Sequence, residues 1–188
     1  PNQNISRAQF AVMLYRYLKL DANKYESVSL PFMDLGQIPA YALPAAKALY
    51  SEGIITGSEK NGKLYFNPDS SLTRAQAAAM IGRTQAKGYA LADLTFSDSA
   101  SIPAYAAYYI RAMVGQGVIS GYSDGTFKPD NQVTYGAALK LIMLAAGYDE
   151  QKPVNSNVFS GYLARAQADG LVSGSVNLNA PITRLAVS

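Results

Sequence analysis

The sequence of 188 residues contains no cysteine and no histidine. Without cysteine there is no disulfide framework, no thiol nucleophile and no thiolate-ligated metal site; without histidine the commonest metal ligand and general base is missing too. Most enzyme mechanisms lose their usual parts, and no catalytic residue, metal site or cofactor is expected. Dense lysine and arginine clusters are also lacking. Sixteen basic against thirteen acidic residues leave a formal charge of +3, a mild bias toward anionic partners that does not mark a nucleic-acid binder. No apolar run approaches the ~18 residues that would carry a helix across a bilayer. What the chain does have is apolar bulk. Hydrophobic residues make up 49% of it, enough to bury one sizeable core or two small ones.

Its organising feature is a repeat. "FMDLGQIPAYALPAAKALYSEGIITG" from Phe32 to Gly57 lies over "FSDSASIPAYAAYYIRAMVGQGVISG" from Phe96 to Gly121 without a gap, matching F-x-D, I-P-A-Y-A and G-[IV]-I-x-G. A third, shortened copy, "FSGYLARAQADGLVSG" from Phe159 to Gly174, keeps the phenylalanine and the ending but loses the aspartate and I-P-A-Y-A. Each copy leads through a loop to a helical pattern opened by a hydroxyl residue: Ser6, Thr73, Thr134 and Thr183. Self-similarity at roughly fifty to sixty-five residues implies supersecondary units that bury their apolar faces on one another.

Those hydroxyls are expected to cap the first turns of their helices. Apolar stripes follow at helical spacing: Phe10, Met13, Leu14, Tyr17; Ala77, Met80, Ile81, Thr84; Ala138, Leu141, Ile142, Ala145. They align position for position, as a pseudo-threefold bundle requires, with Phe10, Ala77 and Ala138 in one layer and Met13, Met80 and Leu141 in the next. Shorter helices are expected after Pro39 and Pro103, ending at Gly53 and Gly117, with Pro44 confined to a first turn. Asn61-Gly62 and Asp124-Gly125 are two-residue hairpin signals.

Arg7, Arg74 and Arg184 stand just inside helix starts, where a cation opposes the macrodipole. They are read either as bidentate carboxylate ligands reinforced by helix N–H groups, or as members of salt bridges or a solvated face. Asp34 and Asp98 are read as caps at the turn entering each unit in preference to a glycosidase pair, because they recur at one repeat position and do not converge. Asp124 and Asp130 lack calcium-loop spacing. Gly57 and Gly121 either bring backbone N–H groups close to a ligand or simply hold left-handed turns. Ser58 and Ser123 are adjacent hydroxyls. Of the fourteen tyrosines, Tyr15, Tyr17, Tyr108 and Tyr109 lie at helical spacing and read as packing.

The motifs F-x-D, G-[IV]-[IV]-x-G, D-G-T-F-x-P and T-R-A-[EQ] resemble the S-layer homology domain over nearly the whole chain. They are carried by Phe96, Asp98, Tyr105, Gly117 to Gly121, Asp124 to Pro129 and Thr134, and again by Phe32, Asp34, Tyr41, Gly53 to Gly57, Phe66 to Pro68 and Thr73 to Gln76. The resemblance implies a mainly α, pseudo-threefold spindle: a central three-helix bundle, three helix-loop prongs and short β-hairpin turns. It implies one module over 1–188, divided into 1–20 (the core helix of a preceding repeat), 32–88, 96–148 and a degenerate 159–188, in a fragment or an array that continues on at least one side. It further implies a non-enzymatic module at the Gram-positive cell surface, anchoring its protein non-covalently to an anionic, pyruvylated secondary cell-wall polysaccharide. Grooves between prongs would hold the sugar, with the T-R-A-[EQ] arginine on its carboxylate. The ligand-binding set is then Arg7, Arg74, Arg184, Tyr41, Tyr105, Gly57, Gly121, Ser58 and Ser123. Gln9 and Gln76 replace the commoner glutamate, tyrosine replaces the family's tryptophan at Tyr41 and Tyr105, and Tyr135 replaces an arginine, weakening or abolishing its groove. The competing expectation is an S-layer assembly module that contacts neighbouring subunits and binds no glycan through this segment.

Overall fold

A computed structural model of the protein describes residues 4–85 and 90–172. Among these residues the α-helices are α1 (Arg7–Tyr17), α2 (Leu43–Ser51), α3 (Arg74–Gln85), α4 (Ala104–Gly115), α5 (Tyr135–Ala145) and α6 (Ser160–Ala168). One small antiparallel pair, β1 (Ser58–Lys60) and β2 (Lys63–Tyr65), lies between α2 and α3. The mainly helical class read from the periodicity is the one the chain adopts. Ser173 and Gly174 at the end of the third copy, the cap at Thr183 and the arginine at Arg184 lie outside the described residues.

Hydroxyl caps set where α1, α3 and α5 begin. Ser6 Oγ accepts from Gln9 N at 3.2 Å, Thr73 Oγ1 from Gln76 N at 3.2 Å, and Thr134 Oγ1 from Ala137 N at 3.3 Å. Gln9 and Gln76 answer in kind: each Oε1 accepts from the N–H of its own cap residue, at 2.9 and 3.1 Å. This reciprocal box satisfies two otherwise free donors and needs only an acceptor at the third helical position, which glutamine supplies as well as glutamate.

The segments entering these helices meet in a closed ring. Ile5 N donates to Val133 O at 2.8 Å, Val133 N to Leu72 O at 2.8 Å, and Leu72 N to Ile5 O at 3.1 Å. All three residues are buried, so each bond is shielded from water. Beyond the ring, α1 and α3 both pack on α5. Phe10, Ala77 and Ala138 are fully buried in one core cluster, one large residue against two small ones as expected. In the next layer Met13 and Met80 are buried as expected, though each also lines a cleft, and Leu141 is only half-buried; Leu14, Ile81 and Ile142 are buried beside them. On a stripe this wide, i+4 from the first layer faces the centre and i+3 turns toward the seam.

Each remaining helix packs on the one before it: α2 on α1, α4 on α3, α6 on α5. Close approach is bought with glycine. A Cβ on Gly82 would stand 2.5 Å from Tyr109, and one on Gly136 would stand 2.4 Å from Phe159. Pro44 is the second residue of α2, within the first turn where its missing N–H has no intrahelical partner to lose. Asn61 and Gly62 both adopt positive φ, 54° and 72°, and join β1 to β2 as expected of a two-residue hairpin. The Asp124-Gly125 copy forms no ladder. Only Gly125 is left-handed there, at 77°; Tyr122 N donates to Thr126 O at 2.8 Å and Asp124 Oδ1 accepts from Thr126 N at 3.0 Å, closing a tight turn.

Candidate binding cleft

The aspartates of F-x-D position the loops around the cleft, by a route different from the expected turn cap. Asp34 Oδ1 accepts from Phe66 N at 2.8 Å and its Oδ2 from Asn67 N at 2.7 Å; Asp98 holds Phe127 N and Lys128 N in the same way, each at 2.8 Å. Neither side chain caps the short 3-10 turn that follows it. Each carboxylate clamps the residues ahead of a distant proline, and Asn67 and Lys128 are held left-handed there, at φ 54° and 56°. These backbone bonds, led by the one from Phe127, draw the Asp98 carboxyl below its ordinary value.

Between these loops and the long helices lies an open cleft of about 580 Å³. Arg7 at the start of α1 forms one end. Gln76, Ala79, Met80 and Arg83 form a wall along α3, Thr56 to Glu59 form a rim, and Tyr105 of α4 closes the side. Arg7 is only 8% exposed, and its Nε is buried without a hydrogen-bond partner. Burial lowers the Arg7 pKa; the Tyr105 hydroxyl opposes that shift, and the like charge of Arg83 adds to it. Burial raises the Tyr105 phenol against the pull of Arg7. Among the described residues no ion pair involves Arg7, Arg74 or Arg83, so the salt-bridge alternative finds no support at Arg7 or Arg74.

The expected help from helix N–H groups is absent. Arg7 N donates to Ser70 O and Ala8 N to Pro68 O, both at 3.0 Å, and Gln9 N is taken by the cap. In α3, Arg74 N donates to Asn131 O at 2.8 Å and Ala75 N to Pro129 O at 3.0 Å. With the first-turn donors already occupied by loop carbonyls, an anion here meets side chains and not helix amides.

Equivalent positions recur at three seams, and their contents differ. Where Arg7 faces Gln76, Met80 and Arg83, the counterpart seam on α1 has Tyr135 with Gln9, Met13 and Arg16, and its cavity shrinks to about 10 Å³. Tyr135 is 7% exposed, and Leu171 and Val172 line the same space. Burial pushes the Tyr135 phenol up to about 12. Tyr135, together with Leu171 and Val172, leaves this seam almost closed. At the remaining position Arg74 is engaged within the protein: its Nε donates to Phe127 O at 2.8 Å, and its guanidinium lies 4.7 Å from the Tyr122 ring centre and 4.8 Å from that of Phe127.

Of the residues nominated from sequence, Arg7, Tyr105, Gly57 and Ser58 line the open cleft. Arg74, Gly121 and Ser123 do not line it. Tyr41, 46% exposed and so as accessible as Tyr105 at 49%, does not line this cleft. Ser58 corresponds in the gapless overlay to Tyr122, not to Ser123. The missing Cβ of Gly57 serves packing: one placed there would stand 2.7 Å from Phe32 Cε1, and at Gly121 it would stand 2.8 Å from Phe96 Cε1. Tyr108 is 45% exposed and meets Tyr109 edge-on, so it is less buried than its helical spacing suggested. Arg83 and Gln76 were not nominated. The signal for Arg83 was present, since the overlay of the long helices puts Arg16, Arg83 and Leu144 in register.

Comparison with known proteins fits this architecture. A sequence profile of the S-layer homology domain matches residues 31–78 and 95–139, which hold both aspartate clamps. The chain is 30% identical over 164 residues to Cell surface glycoprotein 1 of Acetivibrio thermocellus, covering 82% of the chain and 7% of that protein. It is 34% identical over 107 residues to Surface layer protein of Brevibacillus choshinensis, covering 55% of the chain and 9% of the relative. With the Cellulosome-anchoring protein of Acetivibrio thermocellus it shares 29% identity over 166 residues, covering 84% of the chain and 35% of the relative. The chain therefore spans a minor part of each of these proteins. By its two matched repeats, with their clamped loops and capped helices, the chain belongs to the S-layer homology domain family.

Proposed function

We propose that this module anchors a surface protein non-covalently to the cell wall by binding an anionic, pyruvylated secondary cell-wall polysaccharide in the cleft beside Arg7. The observation that carries the reading is a buried arginine, its Nε unpartnered, lining a preformed cleft that also holds Arg83 and the half-exposed ring of Tyr105. A guanidinium suits a carboxylate in fork geometry, and an aromatic face suits the apolar side of a sugar ring. Among the described residues Glu59 is the one carboxylate lining the cleft, which suits binding and not acid-base hydrolysis by a pair. The relatives named for the cell surface, the surface layer and cellulosome anchoring support an extracellular, wall-attached setting.

Sedimentation with purified cell walls tests this. Arg7→Ala, checked for fold by circular dichroism, is expected to weaken wall binding about 10- to 100-fold, the loss of a charge-assisted contact. Walls chemically stripped of accessory polysaccharide should retain neither protein. Unchanged sedimentation of Arg7→Ala, or retention of the unaltered chain on stripped walls, would overturn the proposal and favour a role in subunit assembly.

A further inference from the structure

Arg83 is fixed without being neutralised. One of its Nη groups donates to the Ile54 carbonyl at 3.0 Å, and its guanidinium lies 5.4 Å from the centre of the Tyr109 ring. Both contacts orient the fork, and neither supplies a negative charge. Arg7 shares the same cleft, likewise without an ion pair among the described residues, and exposed Glu59 on the rim is the lining carboxylate. Two like charges beside one cleft repel each other; Tyr105 and the Asp34 carboxylate oppose this at Arg7, but neither forms an ion pair with a guanidinium of the cleft. The combination is broken at the other seams, where Arg74 is matched with Leu144 and Tyr135 with Arg16.

We propose that Arg83 is a second anion contact, and that the open cleft selects an acidic glycan segment bearing two acidic groups along its length, one at each arginine. This rests on the reading of the cleft as an acidic-glycan site. At about 1.5 Å of rise per residue, the α3 wall from Gln76 to Arg83 is about 10 Å long, enough to seat a disaccharide along it. A ligand with a single acid satisfies one guanidinium and leaves the other unneutralised. A ligand with an acid on each of two adjacent rings satisfies both.

Isothermal titration of the whole chain with galacturonate, digalacturonate and methyl-esterified digalacturonate separates the possibilities, with wall sedimentation run in parallel. Digalacturonate is expected to bind at least about 10-fold more tightly than galacturonate, and the ester to lose that advantage. Arg83→Leu, which installs the residue found on α5, should bring the two acids to within about twofold of each other. Arg83→Lys keeps the charge while losing the planar fork, and should retain part of the preference; a role limited to pinning Ile54 would make lysine as damaging as leucine. The inference is overturned if the unaltered protein does not distinguish the two acids, if neither acid binds, or if Arg83→Leu preserves their ratio. Should Arg83→Leu preserve that ratio while Arg7→Ala abolishes wall binding, the anchoring role stands and the two-acid selection falls. Failure of the unaltered chain to sediment with walls removes the anchoring role itself.

Discussion

Asp34→Ala removes both acceptors that hold the loop between β2 and α3. The bonds from Phe66 N and Asn67 N are 2.8 and 2.7 Å long, Asp34 is 6% exposed and Phe66 is fully buried. Hydrogen bonds to a charged group contribute about 1.5–3 kcal/mol each, and a donor left buried without a partner incurs its full desolvation cost. Asn67 adds to the load, because its left-handed backbone, φ 54°, is held in place by the same carboxylate. A loss of about 3–5 kcal/mol is therefore expected, a large fraction of the 5–15 kcal/mol by which domains are usually stable. Urea unfolding followed by circular dichroism would record it as a midpoint lowered by roughly 1.5–2.5 M, at a slope of about 2 kcal/mol/M. Asp98→Ala breaks bonds of matching length at a half-exposed site where water can take over as acceptor, so its loss should be clearly smaller. Equal losses at the two positions, or a loss below about 1 kcal/mol for Asp34→Ala, would refute the clamp as the dominant restraint on this loop.

Tyr135 makes stability sensitive to alkali. Its folded pKa of about 12 stands above the ordinary tyrosine value of about 10, so the unfolded chain releases the proton first and stability should fall between about pH 10 and 12, by about 2–3 kcal/mol. Tyr135→Phe should remove that component of an alkaline unfolding curve, and an unchanged curve would contradict the burial argument. Gly57→Ala places a Cβ against Phe32 at a residue with φ 77°, and should cost about 2–4 kcal/mol in thermal unfolding from strain plus overpacking. Ala137→Gln supplies α5 with the return bond that Gln9 and Gln76 make elsewhere. It should add about 0.5–1 kcal/mol, a rise in Tm of about 1–4 °C by calorimetry.

Features governed by neighbouring residues were legible in the sequence. The caps at Ser6, Thr73 and Thr134, the first-turn place of Pro44 and the Asn61-Gly62 hairpin each depend on chemistry within a few positions. Asp124-Gly125 failed as a hairpin because Asp124 binds Thr126 and keeps its own backbone out of the left-handed region. Asp34 and Asp98 were assigned to local caps because their partners lie about thirty residues onward, a distance at which propensity carries no information. The same limit applied to the arginines. Their identity was visible, but not that loop carbonyls occupy the helix amides or that Tyr122 lays its ring against Arg74 while its counterpart Ser58 has no ring to lay against Arg7. Arg83 lies nine residues beyond Arg74, away from the helix start that marks the other arginines, and becomes part of the cleft only because the cleft runs along α3.

The backbone circuit through Ile5, Leu72 and Val133 has a mechanical corollary. In an open stack of repeats, an outermost unit can peel away while its neighbours stay folded. A circuit has no outermost member: detaching any one participant severs two of its three links and uncovers the third. Loss of structure in this module should accordingly be all-or-none, and the circuit cannot close until the polypeptide has been made as far as Val133.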